Sequence, residues 1–162
     1  MALVSSSLQT KIWRKLQSWY HNGKRNECEK YQKQMLLNIH SELAVEFCEK
    51  STHKRMNYTT CEIKILKVID NQEDKFEWTE DFDCSGKFKD VYILYNLKMV
   101  CDKGGAQTRT LREVYHFIKK QIEYLKQNEN EKIIFVNILD GNGSSKNEPQ
   151  LKYIYNKCNE KI

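Results

Sequence analysis

The sequence predicts a mixed α/β (α+β) fold with an αβββαβ core, in which helices flank a mixed central sheet. The chain has 162 residues, a length that suits one domain with its own hydrophobic core. Residues 61–100 alternate apolar and polar side chains with the period of β-strands, and the segments on either side repeat apolar residues at helical spacing. We therefore predict one domain over 1–162, with a helical extension at 1–23 and the core at 26–160.

Two helices are predicted before the first strand. Leu8–Tyr20 carries apolar residues at helical spacing, and Ser6 or Ser7 can cap it. A longer helix is predicted from about Asn26 to Lys50, with Glu42 and Glu46 on the flank of its apolar stripe. The polar, basic stretch at 51–60 is predicted to be a connector.

Three strands are predicted next, at 61–69, 76–83 and 91–100. Asp70–Asp74 is rich in turn-forming residues, and Cys84–Lys87 contains Ser85 and Gly86, so both segments are predicted to be turns. This arrangement predicts an antiparallel meander.

The remaining elements are a helix, a strand and a final helix. After Gly104-Gly105 the apolar period becomes helical and continues to about residue 127. The nearly continuous apolar run Ile133–Leu139 predicts a central strand covered on both faces. Pro149 suits the first turn of the last helix.

Composition narrows the classes of function. The formal net charge is +5, which permits a polyanionic partner without requiring one. The six cysteines have neither zinc-finger nor CxxC spacing and are expected to be thiols, mostly near the core. With no apolar segment long enough to span a bilayer and no signal-peptide pattern, we expect no membrane and an intracellular location, in the cytoplasm or nucleus.

Polar residues on neighbouring predicted strands indicate a candidate catalytic site. Asp81 and Asp83 share the polar face at the end of the second predicted strand, while Asn96 and Lys98 project together from the third. Asn96 follows Asp83 by thirteen positions, which leaves room for a turn that brings the two strand ends together. An acid, an amide and a lysine in one pocket suit a divalent metal and an attacking water.

This order of elements, with an acid on the second strand and x-Lys on the third, resembles the PD-(D/E)xK nuclease superfamily, which includes many type II restriction endonucleases. The resemblance spans roughly Glu42–Leu139. It implies a metal-binding role for Asp83, or for Asp81 in its place, and it matches Asn96-Leu97-Lys98 to the family's tripeptide. It further implies an acid from the preceding helix, Glu46 or else Glu42.

The resemblance implies a Mg²⁺-dependent endonuclease acting on DNA, with Mn²⁺ as a substitute metal and a homodimer as a possible assembly. Asn96 departs from the family, because an amide in place of the second acid brings no charge and should lower metal affinity. The alternative is a weakened or inactive nuclease fold that binds nucleic acid or a protein partner.

A phosphate-binding segment is predicted at the start of the helix after the third strand. Lys103, Gln107, Arg109 and Arg112 surround the N-terminus of that helix, where backbone N–H groups and the helix dipole favour anions. The alternative is that the arginines pair with Glu113 on the same helix.

Overall fold

The computed structural model describes residues 27–43, 45–48, 54–65, 77–100, 105–140 and 147–159. Within these ranges the protein is mixed α/β, with three helices and a mixed sheet. The helices are α1 (Glu27–Glu42), α2 (Gly105–Gln127) and α3 (Glu148–Asn159). The strands are β1 (Glu46–Cys48), β2 (Lys54–Asn57), β3 (Ile63–Ile65), β4 (Trp78–Asp81), β5 (Cys84–Phe88), β6 (Val91–Met99) and β7 (Ile133–Asp140).

The larger sheet has four strands in the order β1-β5-β6-β7. Strand β5 is antiparallel to both β1 and β6, whereas β6 and β7 are parallel and are connected through α2. A parallel pair requires such a crossover connection, and the long amphipathic α2 supplies it. The start of β5 therefore lies beside the end of β6, with Cys84 opposite Tyr95.

The smaller sheet has three antiparallel strands in the order β3-β2-β4. Its last strand leads almost directly into β5, with only Phe82 and Asp83 between them. Phe82 is fully buried and its ring packs against Phe117 of α2 and Phe135 of β7. This aromatic contact anchors the junction between the two sheets.

Each face of the larger sheet is covered by a different helix. Leu36 of α1 packs with Cys84, Tyr95 and Leu97 on one face. On the other face Phe117 and Tyr124 of α2 pack with buried residues that include Leu94. Adjacent residues of β6 thus project into different cores, as the pleat of a strand requires.

Several predicted elements are wrong. Helix α1 ends at Glu42, and Glu46 belongs to strand β1 instead of to the helix predicted over 26–50. Lys54–Asn57 forms a strand within the predicted connector, and the predicted turn Cys84–Lys87 is part of β5. The simple meander is therefore wrong as well, since segments 63–65 and 78–81 belong to the smaller sheet.

Gly86 explains why β5 resembles a turn in the sequence. A Cβ atom at this position would lie 3.2 Å from His40 Nε2 and 3.4 Å from the Glu46 carbonyl oxygen. Glycine therefore permits close approach of α1 and β1 to the strand, a use that cannot be told from a turn by residue type alone.

Other predictions are confirmed. The mixed α/β class, the long helix after residue 104, the apolar strand near the C-terminus and the last helix with Pro149 in its first turn are all present. The apolar strand β7, however, pairs only with β6 in the described sheet and is not central. The helix predicted at 8–20 lies outside the described residues. None of the described helices is long and apolar enough to cross a membrane.

Candidate active site

Asp83 lies immediately before β5 and is bound to the end of β6. Its backbone N–H donates to the Tyr95 carbonyl oxygen at 2.8 Å, and its Oδ2 accepts a hydrogen bond from the Leu97 N–H at 2.7 Å. Leu97 is the central residue of Asn96-Leu97-Lys98. The carboxylate thus contacts the backbone of the predicted tripeptide.

Lys98 lies on the same end of β6 and contacts a second carboxylate. Its Nζ is 3.6 Å from Glu80 Oε2, with both side chains largely buried at 29% and 22% exposure. Glu80 comes from β4, so the junction between the two sheets brings this acid to the larger sheet. The charge of Lys98 also acts on Asp83, and we use Lys98 pocket as the name for the group formed by Glu80, Asp83 and Lys98.

Burial dominates the electrostatics of both carboxyl groups in the Lys98 pocket. Removal from water raises the pKa of Asp83, and the Leu97 N–H and the Lys98 charge oppose that rise only in part. Removal from water likewise raises the pKa of Glu80, again against the opposing charge of Lys98. Lys98 pairs with Glu80 and its charge also acts on Asp83, so a further cation near the two carboxyl groups would favour their charged forms.

Helix α1 approaches the Lys98 pocket with its N-terminal half. Gln32 is buried and its Nε2 donates to the Lys98 carbonyl oxygen at 3.4 Å. The charges of Glu29 and Lys33, which pair with each other at 2.5 Å, both act on Asp83. Glu29 is thus the acid of α1 on the side of Asp83.

The two acids predicted to come from this helix lie elsewhere. Glu42 is exposed at the opposite end of α1, about 20 Å from Glu29 along the helix axis. Glu46 is exposed on β1, opposite Lys87, which is about 13 Å from Asp83 along β5. The structure therefore does not bring Glu42 or Glu46 to the Lys98 pocket.

Asn96 is completely buried and its side chain belongs to an amide network. Its Nδ2 donates to Asn137 Oδ1 at 3.1 Å, and Asn137 is also bonded to Gln121 of α2. Asn96 Oδ1 is buried without a hydrogen-bond partner among the described residues. An unsatisfied buried acceptor is uncommon in proteins and identifies an atom that can accept a ligand or a water.

Asp81, the alternative ligand, has a different partner. It faces Arg55 across the β2–β4 pair, and the guanidinium binds its carboxylate through Nε at 2.5 Å and Nη2 at 3.1 Å. A bidentate pair of this kind satisfies both carboxylate oxygens. The geometry thus favours Asp83 over Asp81 as the acid of the site.

The structure describes two of the basic residues predicted at the start of α2. Arg109 and Arg112 are exposed on α2, and Arg109 Nε is 3.7 Å from Glu113 Oε1, as the alternative interpretation expected. Lys103 and the side chain of Gln107 lie outside the described residues. The charge of Glu113 also acts on Glu80, which connects this part of α2 to the Lys98 pocket.

Glu80 and Glu29 were missed by the sequence reasoning. Glu80 has the same strand parity as Trp78 and Phe82, so the alternation assigned it to an apolar face. A charged residue among apolar neighbours of a strand was the available signal, because such a residue needs a buried partner. Glu29 carried no comparable signal, since it is one of several charged residues on a helix.

Comparisons with known proteins do not identify the chain. No family model matches it, and no match is found among curated proteins or solved structures.

Proposed function

We propose that this protein is a Mg²⁺-dependent endonuclease that hydrolyses DNA phosphodiester bonds at the Lys98 pocket. The observation that carries the proposal is the hydrogen bond from the Leu97 N–H to the Asp83 carboxylate. It joins the start of β5 to the end of β6 at the residues that resemble the nuclease motif. Lys98 and Glu80 add an ammonium group and a second acid there.

The sheet order supports the same proposal. If the three-stranded sheet is treated as an insertion between β1 and β5, the remaining order is α1, three antiparallel strands, α2 and a strand parallel to the third. This order is compatible with an αβββαβ core, although its first two strands, β1 and β5, are not the segments predicted at 61–69 and 76–83. The acid and the lysine then occupy adjacent ends of the second and third strands of that core.

The residues of the Lys98 pocket fit a hard divalent cation. Within the described part of the chain no group of three or more His, Cys, Asp or Glu side chains could hold a metal. Mg²⁺ is commonly held by one or two carboxylates, with water and phosphate oxygens completing its coordination. Asp83 would hold it, and Asn96 Oδ1, which has no hydrogen-bond partner among the described residues, is a second hard oxygen on β6. When bound, such a cation polarises the scissile phosphate.

The protein's own groups have separable roles in this proposal. The Lys98 ammonium offsets the negative charge that develops on the phosphate oxygens and orients the attacking water. Glu80, whose pKa is raised by burial, accepts the proton from that water as the water oxygen bonds to phosphorus. The P–O bond to the leaving oxygen breaks in the same displacement, and solvent protonates that oxygen. The Leu97 N–H holds the Asp83 carboxylate in a fixed position, and Gln32 supports the backbone of Lys98 from α1.

The experiment is a plasmid-nicking assay with Mg²⁺ on the wild-type protein and on Lys98→Ala. We expect the substitution to lower the rate by about 10²–10³, the usual loss when one group that stabilises transition-state charge is removed. Lys87→Ala is the matched control, because Lys87 is a half-buried lysine farther along β5. Thermal denaturation shows whether each variant folds. Full cleavage by folded Lys98→Ala would exclude this site.

A second function is favoured by one observation, the amide at Asn96. Its Nδ2 is committed to Asn137, and the position carries no charge. A nuclease fold without catalysis would bind DNA through its basic surface, so its affinity should fall with added salt and should not respond to Mg²⁺. Binding without any nicking by the wild-type protein would support this alternative.

A further inference from the structure

Residues of helices α2 and α3 line a groove between the two helices. It has a volume of about 390 Å³ and is lined by residues that include Arg112, Tyr115, Gln150 and Tyr153. A smaller hollow of about 60 Å³ continues along the same helix pair, where Tyr115 is joined by Lys119, Lys126 and Lys157. We call the two together the α2–α3 groove.

One edge of the α2–α3 groove is a row of cations. Arg112, Lys119 and Lys126 are spaced seven residues apart, so they lie on one side of α2 over about 21 Å. All three are exposed, and none forms an ion pair with another of the described residues. Such a row follows the path of a polyanion.

Two tyrosine rings lie beside these cations. The rings of Tyr115 and Tyr153 are 5.8 Å apart between centroids, and Tyr153 is 53% exposed. Lys119 Nζ is 5.9 Å from the Tyr115 ring, and Lys157 Nζ is 6.0 Å from the Tyr153 ring. Tyr153 is exposed and Tyr115 is half-buried, and aromatic rings flanked by ammonium groups are the combination that binds stacked bases and their phosphates.

Among the described residues, the acids Glu113, Glu123 and Glu148 near the α2–α3 groove each have a cationic partner. Glu123 accepts from Lys120 Nζ at 2.7 Å, and Glu148 pairs with Lys152 at 2.7 Å. Glu113, on the side of α2 toward the Lys98 pocket, is 3.7 Å from Arg109. The net field along the groove is therefore positive, which complements a phosphate backbone.

We infer that the α2–α3 groove binds single-stranded DNA. A duplex hides the faces of its bases within the stack, so its bases cannot reach tyrosine rings that lie between two helices. Unpaired bases can stack there while their phosphates follow the row of cations. The inference rests on the proposed function for the choice of DNA over RNA and for any link to cleavage.

The test is fluorescence anisotropy in EDTA, with a labelled single strand of about 12 nucleotides, a length within the site sizes known for single-strand binding. Tyr153→Ala should weaken binding about 5–150-fold, the range for loss of one stacked base. Tyr153→Phe should keep most of the wild-type affinity, because the aromatic ring remains. Replacing Arg112, Lys119 and Lys126 with Gln should reduce the slope of log affinity against log salt by about 2, at about 0.7 per phosphate.

Tyr92→Ala is the matched aromatic control. Tyr92 is 47% exposed and lies 5.5 Å from the ammonium groups of both Lys54 and Lys87, but it belongs to the sheet rather than to the groove. We expect this substitution to leave binding unchanged. An equal loss in Tyr92→Ala, or tighter binding of duplex DNA, RNA of the same sequence or polyglutamate, would overturn the inference.

Lys98→Ala separates this inference from the proposed function. The variant should bind the single strand with wild-type affinity in EDTA while it fails to nick plasmid. Single-strand binding that depends on Tyr153 without any nuclease activity would leave the inference standing and remove the proposed function. The opposite result is nicking by the wild-type protein together with binding that does not change in the Tyr153 and cation variants. It would support the proposed function and overturn the inference.

Discussion

Asp81 and Asp83 are two residues apart, yet their carboxylates have opposite surroundings. Asp81 lies on β4 of the smaller sheet, where Arg55 binds both of its oxygens and its side chain is 37% exposed. Asp83 lies immediately before β5 in the larger sheet, where burial raises its pKa and the Leu97 N–H donates a hydrogen bond to its carboxylate. Fully buried Phe82 separates the two environments.

This difference separates a carboxylate that is fully paired from one that is not. A carboxylate matched by a guanidinium has little left to offer a ligand, because its hydrogen-bonding capacity is used. A desolvated carboxylate with incomplete compensation destabilises the fold slightly and has capacity left to bind a cation. The same reasoning applies to the buried Asn96 Oδ1, which has no hydrogen-bond partner among the described residues.

The largest effect on stability is expected from Asn96→Asp, which would introduce another buried carboxyl group, on β6. In EDTA the buried carboxylate can no longer donate the hydrogen bond that Asn96 gives to Asn137 Oδ1. We therefore expect the free energy of unfolding to fall by about 1–3 kcal/mol. If this position lies beside the metal, Mn²⁺ should restore that stability. Thermal denaturation with and without Mn²⁺ measures both effects.

Asn128→Asp is the control for that experiment, because Asn128 donates a comparable hydrogen bond to the Tyr124 carbonyl oxygen, outside the Lys98 pocket. Its stability should not respond specifically to Mn²⁺. An equal response of both variants, or none in Asn96→Asp, would separate Asn96 from the metal.

A smaller effect of opposite sign is expected from Asp83→Asn. Because the folded pKa of Asp83 is raised above its unfolded value near 3.9, the folded state holds more protons between the two values. The stabilising contribution of the protonated carboxyl is complete below the unfolded pKa and is lost as pH rises through the folded pKa. Asp83→Asn has no carboxyl group to ionise, so its stability does not fall in this way as pH rises. Its amide oxygen can still accept a hydrogen bond from the Leu97 N–H.

We therefore expect Asp83→Asn to be more stable than the wild type near neutral pH in metal-free buffer, and to lose this advantage in acid. Its nicking activity should be abolished. Thermal denaturation across this pH range gives the comparison. A difference in melting temperature that does not change with pH would contradict the assignment of an uncompensated carboxylate.

The smallest effect is expected from Asp81→Asn. The Arg55 pair is partly solvated, so its loss should lower the free energy of unfolding by about 0.2–1 kcal/mol. Plasmid nicking should continue, because the Lys98 pocket is untouched. A double-mutant cycle with Arg55→Met isolates the pair. Nicking lost in Asp81→Asn but kept in Asp83→Asn would transfer the metal-ligand role to Asp81.

The pairing of strands could not be predicted from local patterns. Alternation identified the third predicted strand and helical spacing identified α2, since both are long and amphipathic. Short strands such as β1 and β2 carry too few residues to show a period. Gly86 led to the prediction of a turn in place of β5, whereas in the structure it permits close packing against His40. The division into two sheets depends on contacts between distant segments.

The sequence by itself determined the mixed α/β class and the long elements, because those depend on residue type and local period, and its resemblance to a nuclease family made Asp83 and Lys98 the candidates for a site. Only the tertiary structure decided that Glu80 and Glu29 approach the site, that Glu42 and Glu46 do not, and that Arg55 binds Asp81. The physical reason is that the charge state and reactivity of a carboxylate depend on desolvation and on partners from other elements. Chain folding brings those partners together, and local sequence spacing does not encode them.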